Sequence, residues 1–376
     1  MLRPLALLSV ALLPCNPAIA ATAERTPAGT LADGTVIEAV TLTGANRVSA
    51  RIISFGATLQ SLTAPDRKGE LADVLLGFDN AADYERLPSY FGVTVGRYAN
   101  RIDGGRFAID GKSYQISQND KGNALHGGAI GFDKRQWRIV SVTEGQQASV
   151  TLALTSADGD QGFPGRVEAQ VTYTLDDTGT LTIRFDATTD QPTVINMTNH
   201  AIFNLAGEGA PGGALGHRLT IPAKAITPVS PQLIPTGALR PVAGTVFDFR
   251  TARTLDEGIR DGRDPQIVYA RGYDHNFALD KGITSSPELA ARLEDPVSGR
   301  VLDVLTTDPG VQLYTGNFLD GTVIGKAGHL YRMGDGIALE PQKFPDAPNK
   351  PQFASARVDP AKPYSHVMIY RLSVAR

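Results

Sequence analysis

Cysteine is almost absent from this sequence of 376 residues, and neither sign of charge is in marked excess. The only cysteine is Cys15, so an intramolecular disulfide and a cysteine-ligated metal site are both excluded. The 36 Lys and Arg residues and the 39 Asp and Glu residues are spread along the chain, which gives a formal net charge of −3. Because no basic stripe is present, we do not expect the protein to bind nucleic acid.

Helical periodicity is also scarce. Only Asn80–Leu87 and Pro287–Leu293 have the pattern of one or two helical turns. The 39 glycines and 24 prolines are scattered, as in chains of many short strands joined by turns. The segments with strand character are Thr35–Thr43, Arg47–Leu62 with a bend at Gly56, Arg138–Val142, Ser149–Thr155, Val167–Leu175 and Thr180–Ala187. The sequence therefore predicts an all-β fold, in one large and mostly antiparallel domain.

The first twenty residues have the pattern of a secretory signal peptide. Arg3 gives a positive start, Leu5–Leu13 is apolar, and Ala18-Ile19-Ala20 is a small-x-small cleavage pattern. The apolar run is shorter than the ~20 residues that a membrane-spanning helix needs. We therefore expect cleavage after Ala20 and export, to a bacterial periplasm, of a chain that no longer contacts a membrane. A retained anchor, a buried strand and lipidation at Cys15 are the alternatives. Residues 21–34 are small and polar and predict a loose leader, and residues 35–376 predict a single domain.

Five polar segments contain the candidate functional residues. Taken singly, each is more typical of a turn histidine or a solvated acid than of a site. Together they combine an acid, histidines, an arginine and amides, which predicts a polar pocket for a sugar, because sugar hydroxyls need many directional partners. The segments are Gly96–Ile102 with Arg101, Asn123–Gly128 with His126, Asn196–His200, Gly272–Phe277 with Asp274 and His275, and Ala338–Asn349 with Glu340.

Other kinds of site find little support. The chain has no His-Glu-x-x-His and no His-x-His pair, and Asp274 and His275 would point to opposite faces of an extended strand, so we do not expect a catalytic zinc ion. Gly104-Gly105 precedes a strand-like run rather than a helix, which argues against a phosphate or dinucleotide loop. The Gly-x-Ser-x-Gly elbow of many hydrolases is missing.

Six ordered motifs resemble those of the aldose 1-epimerase (galactose mutarotase) family. The resemblance extends from about Leu31 to the C-terminus and implies a large antiparallel β-sandwich with few short helices and a sugar cleft on a concave face. The motifs are Gly-Arg-x-Ala-Asn-Arg-Ile from Gly96, Asn-x-Leu-His-Gly-Gly from Asn123, Thr-Asn-His-x-x-Phe-Asn-Leu from Thr198, Gly-x-Asp-His-Asn-Phe from Gly272, Thr-Gly-Asn-Phe-Leu from Thr315, and Leu-Glu-x-Gln-x-Phe-Pro-Asp-Ala-Pro-Asn from Leu339.

The resemblance also implies a role for each charged member of these motifs. Glu340 matches the general base of the family and His200 its general acid, whereas His126 would lie near the ring oxygen and hydroxyls of the sugar. Arg101 and Asp274 would hold hydroxyls, and Asn100 and Gln312 match further positions that contact sugar. The implied substrate is a free monosaccharide, and no metal or organic cofactor, nucleic acid or membrane is implied as a partner.

The chemistry of anomer exchange needs such a set of groups. Opening the pyranose ring takes a proton from the C1 hydroxyl and gives one to the ring oxygen, tasks that suit a carboxylate and an imidazolium. A sugar-binding module without catalysis is one alternative. Another is a different carbohydrate enzyme, such as a hydrolase with Glu340 and Asp274 as its two carboxylates. Two departures from the family pattern, Pro341 and Ala201-Ile202, bear on backbone contacts and on the pocket wall.

Overall fold

A computed structural model describes residues 21–87 and 89–375. The predicted signal peptide, residues 1–20, lies outside the described residues, so the cleavage prediction stays a prediction. No helix in the described ranges is both long and apolar enough to cross a membrane.

The first half of the chain is built mostly from strands, with one short helix. Helix α1, Ala81–Arg86, begins at Asn80, whose side chain accepts a hydrogen bond from the backbone N–H of Asp83. The strands are β1 Thr22–Thr30, β2 Val36–Thr43, β3 Ser49–Ile53, β4 Thr58–Pro65, β5 Leu71–Asp73, β6 Thr94–Val95, β7 Arg101–Ile102, β8 Arg106–Ile109, β9 Lys112–Gln115, β10 Ala124–Leu125, β11 Arg138–Thr143, β12 Gln147–Ser156, β13 Val167–Asp176 and β14 Thr180–Thr189.

The second half has the same character and contains helix α2, Pro265–Ala270, which is capped by Asp264 and has proline at its first position. Its strands are β15 Thr193–Val194, β16 Thr198–Asn199, β17 Ile202–Phe203, β18 Arg218–Thr220, β19 Ala223–Ile226, β20 Arg240–Pro241, β21 Arg253–Thr254, β22 Asp274–Leu279, β23 Glu288–Glu294, β24 Arg300–Thr306, β25 Gly310–Tyr314, β26 Asp320–Ile324, β27 Leu330–Arg332, β28 Ile337–Gln342, β29 Arg357–Val358 and β30 Tyr364–Val374.

Three antiparallel sheets contain most of these strands. A nine-stranded sheet has the order β11-β12-β13-β14-β30-β24-β23-β18-β21, a six-stranded sheet the order β17-β28-β25-β22-β19-β20, and a five-stranded sheet the order β1 to β5. One large apolar cluster joins the three: it includes Val171 of β13, Leu313 of β25 and Leu62 of β4. The architecture is therefore the predicted all-β sandwich, with the core between layered sheets.

Period-two alternation explains how the largest hairpin forms. Along β13, Val167, Ala169, Val171, Tyr173 and Leu175 are buried while the residues between them are more exposed. Strand β14 follows after a turn that ends at Gly179, whose φ of 85° suits glycine. One face of the hairpin is thus committed to the core, as the sequence predicted.

The other predicted strands are confirmed with small shifts of their ends, and so is the helical turn at Asn80–Leu87. Two predictions are wrong. The supposed loose leader contains β1, which pairs with β2 through Thr22–Thr30 and forms the edge of the five-stranded sheet. The segment Pro287–Leu293 is not helical, because Glu288–Glu294 forms β23 between β24 and β18. In both segments, backbone pairing with neighbouring strands determines the structure, and the pattern of residue types along the segment does not.

Candidate active site

The six-stranded sheet brings three predicted site residues side by side. Gln312 of β25 lies opposite Glu340 of β28 in the antiparallel register. On its other side, β25 pairs with β22, where Asn276 is opposite Gln312 and Asp274 is opposite Tyr314. Because alternate residues of a strand share a face, these side chains project from one surface of the sheet. The intervening residues Phe277, Leu313 and Leu339 belong to the apolar core beneath it.

Amide side chains fix the orientation of Asp274. The amide nitrogen of Gln312 donates to Oδ1 of Asp274 at 2.6 Å, and the oxygen of the same amide accepts from Gln342 at 3.2 Å. Gln342 also donates to Asn276. Gln312 is buried and lies beside the cavity wall rather than on it, so in this structure it acts on Asp274.

A second set of site residues comes from the loops next to β7 and β10. These two strands pair through Arg101 and Leu125, which places His126 beside Asn100. Asn100 and His126 both have positive φ, 64° and 50°. The N–H of His126 donates to the carbonyl of Asn100, and the N–H of Asn100 donates to Nδ1 of the His126 ring. The Nε of Arg101 donates to Asp120 at 2.7 Å, and no described residue accepts from its two terminal nitrogens. A fixed guanidinium with free donors therefore faces the cavity.

His200 completes the site from a third direction. It follows β16, which pairs with β6, and its Nε2 lies 3.6 Å from Oε1 of Glu340. Both side chains are almost fully buried, yet Nδ1 of His200 and Oε2 of Glu340 have no hydrogen-bond partner in the described part of the chain. Buried polar atoms without partners are costly, so their presence beside a cavity indicates groups that wait for a ligand.

These residues share one cavity of about 330 Å³. Asn100, Arg101, His126, His200, Asp274 and Glu340 line its polar part, and Tyr90, Ile202, Tyr314, Phe318 and Leu319 are among the apolar members of its wall. The predicted site residues are thus brought together, apart from Gln312 just behind them. Ile202, one of the two departures from the family motifs, is part of the wall. The other departure is Pro341. Strand β28 pairs with β17 only through Ile337 and Ala338, so Pro341 lies outside that pairing.

Burial controls the ionisation of the site. It raises the pKa of Glu340 well above its usual range, an effect that Asp274 reinforces and Arg101 opposes. Burial also raises the pKa of Asp274. It lowers the pKa of His200 to about 4 and takes that of His126 well below its usual value, with His200 adding to the shift of His126. Burial therefore favours the uncharged forms of Glu340, His200 and His126, whereas at Asp274 Arg101 and the hydrogen bond from Gln312 oppose its effect on the pKa.

The tautomer of His126 decides what this residue can bind. The N–H of Asn100 donates to its Nδ1 at 3.2 Å, so the neutral ring must carry its proton on Nε2. His126, His200 and Glu340 have possible metal-ligand atoms within 4.8 Å of one another. However, a histidine that binds a metal keeps a proton on its other nitrogen and donates it, the reverse of what Asn100 imposes. His126 is therefore arranged to donate to a substrate oxygen and does not suit a metal ion.

The structure separates Asp274 from its neighbour His275, as the strand pattern predicted. His275 points to the opposite face, where its ring packs against Phe247 at 4.7 Å. Tyr90, Tyr314 and Asp120 are among the lining residues that sequence reasoning missed. Tyr314 and Asp120 lie near recognised motifs and could have been included on that ground. Tyr90 has no polar motif around it that would have identified it.

Comparisons with known proteins agree with this geometry. A family model described as aldose 1-epimerase matches residues 38–371. A galactose mutarotase from Rattus norvegicus is 44% identical over 330 residues, which is 88% of this chain and 92% of that protein. An aldose 1-epimerase from Escherichia coli (strain K12) is 38% identical over 342 residues, which is 90% of this chain and 96% of that protein.

Solved structures give the same result. An aldose epimerase homologue from C. elegans has a TM-score of 0.81 and 34% identity, covering 89% of this chain and 98% of its own. A galactose 1-epimerase from Lactobacillus acidophilus has a TM-score of 0.83 and 27% identity, covering 95% of this chain and 100% of its own.

Proposed function

The chain belongs to the aldose 1-epimerase family, and we propose that it interconverts the α and β anomers of free aldohexoses such as galactose and glucose. The observation that carries the proposal is the pairing of Glu340 with His200, whose side chains lie 3.6 Å apart beside one polar cavity. A base and an acid so close together are able to reach the C1 hydroxyl and the ring oxygen of the same pyranose, since those two oxygens are bonded to one carbon.

The reaction moves one proton off the sugar and one onto it. The carboxylate of Glu340 takes the proton of the C1 hydroxyl while protonated His200 gives one to the ring oxygen, so the bond between C1 and the ring oxygen breaks and an aldehyde forms. After C1 rotates by half a turn, the former ring oxygen attacks the other face of the aldehyde. His200 then recovers its proton from that oxygen and Glu340 returns its proton to the C1 oxygen, which leaves both groups as they began.

The buried pair matches this cycle because it holds one proton throughout. Before ring opening the proton is on His200, and after ring opening it is on Glu340, which leaves two uncharged side chains. Burial raises the pKa of Glu340 and lowers that of His200, so the proton transfers that open the ring also remove two charges from a dry environment.

The remaining polar groups hold the sugar while C1 turns. Arg101 offers guanidinium donors, His126 offers its Nε2 proton, and Asp274 offers a carboxylate oxygen to a hydroxyl donor. Hydrogen bonds to charged partners are the stronger ones, so Arg101 and Asp274 are suited to grip the part of the sugar that does not rotate.

Two-dimensional exchange NMR on the purified protein tests the proposal, with glucose, galactose, xylose and arabinose as substrates. We expect cross-peaks between anomers to grow with enzyme concentration for at least one aldohexose. A protein that binds these sugars, by calorimetry, without accelerating exchange would contradict the proposal and favour a sugar-binding module. Release of a reducing sugar from a glycoside would favour a hydrolase instead.

We also propose that the chain is exported and processed after Ala20. The support is the sequence of residues 1–20, with Arg3, the apolar run Leu5–Leu13 and the small residues before Ala21. N-terminal sequencing of the protein from a periplasmic fraction should begin at Ala21. Recovery of a chain that still begins at Met1 from the cytoplasm would contradict this part of the proposal.

A further inference from the structure

One tyrosine ring contacts both histidines of the site. The centroid of the Tyr90 ring lies 4.6 Å from that of His126 and 5.7 Å from that of His200, where the two planes are stacked at 30°. The two imidazoles lie 5.2 Å apart and nearly perpendicular, at 80°. Tyr90 therefore completes a cluster of three rings in the wall of the cavity.

The backbone ties Tyr90 to the acid rather than leaving it on an independent loop. Tyr90 is followed closely by Gly92 and Val93, and both of these residues bond to His200: the N–H of Gly92 donates to the carbonyl of His200 at 2.9 Å, and the N–H of His200 donates to the carbonyl of Val93 at 2.9 Å. Gly92 has a φ of 66°, and a Cβ there would lie 2.1 Å from the carbonyl oxygen of Leu59. The segment that carries Tyr90 is therefore fixed in place against the segment that carries His200.

Tyr90 contributes an aromatic ring to the site and not an ionised phenolate. Burial raises the pKa of Tyr90 further above the physiological range, so the phenol stays neutral. The Tyr90 side chain is half-buried on the wall of the cavity, and its hydroxyl makes no hydrogen bond with another described residue. Tyr314, another half-buried tyrosine of the cavity wall, differs, because its hydroxyl accepts from the N–H of Phe318 at 3.0 Å. What Tyr90 gives to its neighbours is a flat apolar surface.

We propose that Tyr90 is a positioning residue, whose ring sets the angle and separation of the His126 and His200 imidazoles and keeps water from between them. The inference rests on the anomer exchange proposed above. A proton on His200 then passes only to the sugar or to Glu340, and His126 stays aligned to donate to the sugar. Displacement of a catalytic group by about 1 Å is able to cost ~10²-fold in rate, so a ring that fixes two of them has a large effect.

Removal of the ring should also change the pH dependence. His200 is faced by His126, by Glu340 from β28 and by Tyr314 from β25, with Arg101 and Asp274 across the cavity. Water that replaces the Tyr90 ring would relieve the burial that lowers the pKa of His200, so its pKa would rise. The pair would then acquire its second, inactivating proton at higher pH, and the acid limb of the rate profile would move up.

The experiment compares Tyr90→Phe with Tyr90→Leu. Both are measured by exchange NMR for kcat, KM and the pH profile of kcat, on a sugar that the wild-type protein converts. We expect Tyr90→Phe to stay within about threefold of wild type, because the ring remains. We expect Tyr90→Leu to lose ~10-fold or more in kcat with little change in KM, and its acid limb to shift to higher pH. Tyr114→Leu, which alters a tyrosine stacked on Phe107 outside the cavity, is the matched control and should keep the wild-type profile.

Two results would overturn the inference. One is a Tyr90→Leu protein with an unchanged kcat and pH profile, and the other is a Tyr90→Phe protein as impaired as Tyr90→Leu, which would assign the effect to the hydroxyl. If Tyr90→Leu does not fold, Tyr90→Met takes its place under the same criteria. A wild-type protein that exchanges no anomers would instead contradict the proposed function, so the two failures are distinguishable.

Discussion

Two buried pairs of an acid and a histidine in this protein have the same separation and opposite uses. Nε2 of His200 lies 3.6 Å from Glu340, and Nδ1 of His366 lies 3.6 Å from Asp308. Both ring nitrogens of His366 have closer partners, the hydroxyl of Thr306 at 2.8 Å and the carbonyl of Met197 at 3.0 Å. His200 has no such partner for its Nδ1 and faces the cavity.

The difference teaches that distance and burial do not distinguish a catalytic pair from a structural one. Both pairs are buried, and burial lowers the pKa of both histidines. What separates them is the histidine and the cavity: both ring nitrogens of His366 are hydrogen-bonded, whereas Nδ1 of His200 has no partner in the described part of the chain and its ring lines the cavity. The acids do not differ in this respect, because Oε2 of Glu340 and Oδ2 of Asp308 both lack a hydrogen-bond partner among the described residues. Hydrogen bonds left open in the empty protein are available to a substrate, whereas those of His366 contribute to stability.

The largest expected effect comes from removing the base. Glu340→Gln keeps the size of the side chain and abolishes its ability to take a proton, so we expect kcat to fall by ~10²- to 10⁴-fold in exchange NMR. Asp308→Asn is the matched control in the structural pair, and we expect its kcat to remain close to that of wild type. A Glu340→Gln protein with the wild-type rate would show that the two pairs do not differ in the way described.

The second prediction is that substitution of His200 lowers kcat, whereas substitution of His366 lowers stability. We expect His200→Asn to lose ~10²-fold or more in kcat while its melting temperature stays near that of wild type, because its Nδ1 has no bond to lose. We expect His366→Asn to lose about 1–3 kcal/mol of stability, since its two hydrogen bonds are disrupted in the core.

Thermal denaturation and kcat per folded molecule, measured on both proteins, check this prediction. Equal losses of stability in the two variants, or equal losses of kcat, would remove the distinction between the pairs.

The smallest effect is a gain in stability from the same Glu340→Gln change. The pKa of Glu340 is raised in the folded protein, so its ionisation opposes folding. This penalty is absent below the ordinary carboxyl range, grows as the pH rises, and is complete above the raised pKa. We therefore expect Glu340→Gln to melt at a higher temperature than wild type at neutral and alkaline pH, with the difference vanishing in acid. A melting temperature that is lower than wild type at every pH would mean that Glu340 is stabilised by contacts in the empty site.

The parts of the fold that were predictable are those where one residue pattern decides the outcome. Val167–Leu175 alternates strictly, and only a half-buried strand places all its apolar residues on one side. Strand β1 was missed because Thr22–Thr30 has no apolar alternation and depends on backbone pairing with β2. Pro287–Leu293 contains leucine and alanine, which favour a helix, but its neighbours β18 and β24 impose a strand.

In the candidate site, too, the features that were predictable depend on one segment of sequence, and those that were missed depend on contacts between segments. Glu340, His200, His126, Arg101 and Asp274 were identified because each lies in a motif with other polar residues. The placement of Gln312 behind Asp274 and the packing of Tyr90 against two histidines depend on contacts between segments far apart in the chain. The tautomer of His126 depends on a single backbone N–H, that of Asn100, which no side-chain pattern reveals.

The hydrogen-bonded amides of Gln342 and Gln312 behind Asp274 determine which kind of hydrogen-bonding group the cavity accepts there. Since Gln342 donates to Gln312 and Gln312 donates to Asp274, neither glutamine amide is free to turn over. The hydrogen bond from Gln312 favours the ionised form of Asp274, which offers the sugar only acceptors. A sugar whose hydroxyl at this position is replaced by fluorine, which has no proton to give, would meet two lone pairs face to face. Discrimination against such deoxyfluoro analogues is therefore set by Gln312 and Gln342, which lie behind Asp274 rather than on the wall of the cavity.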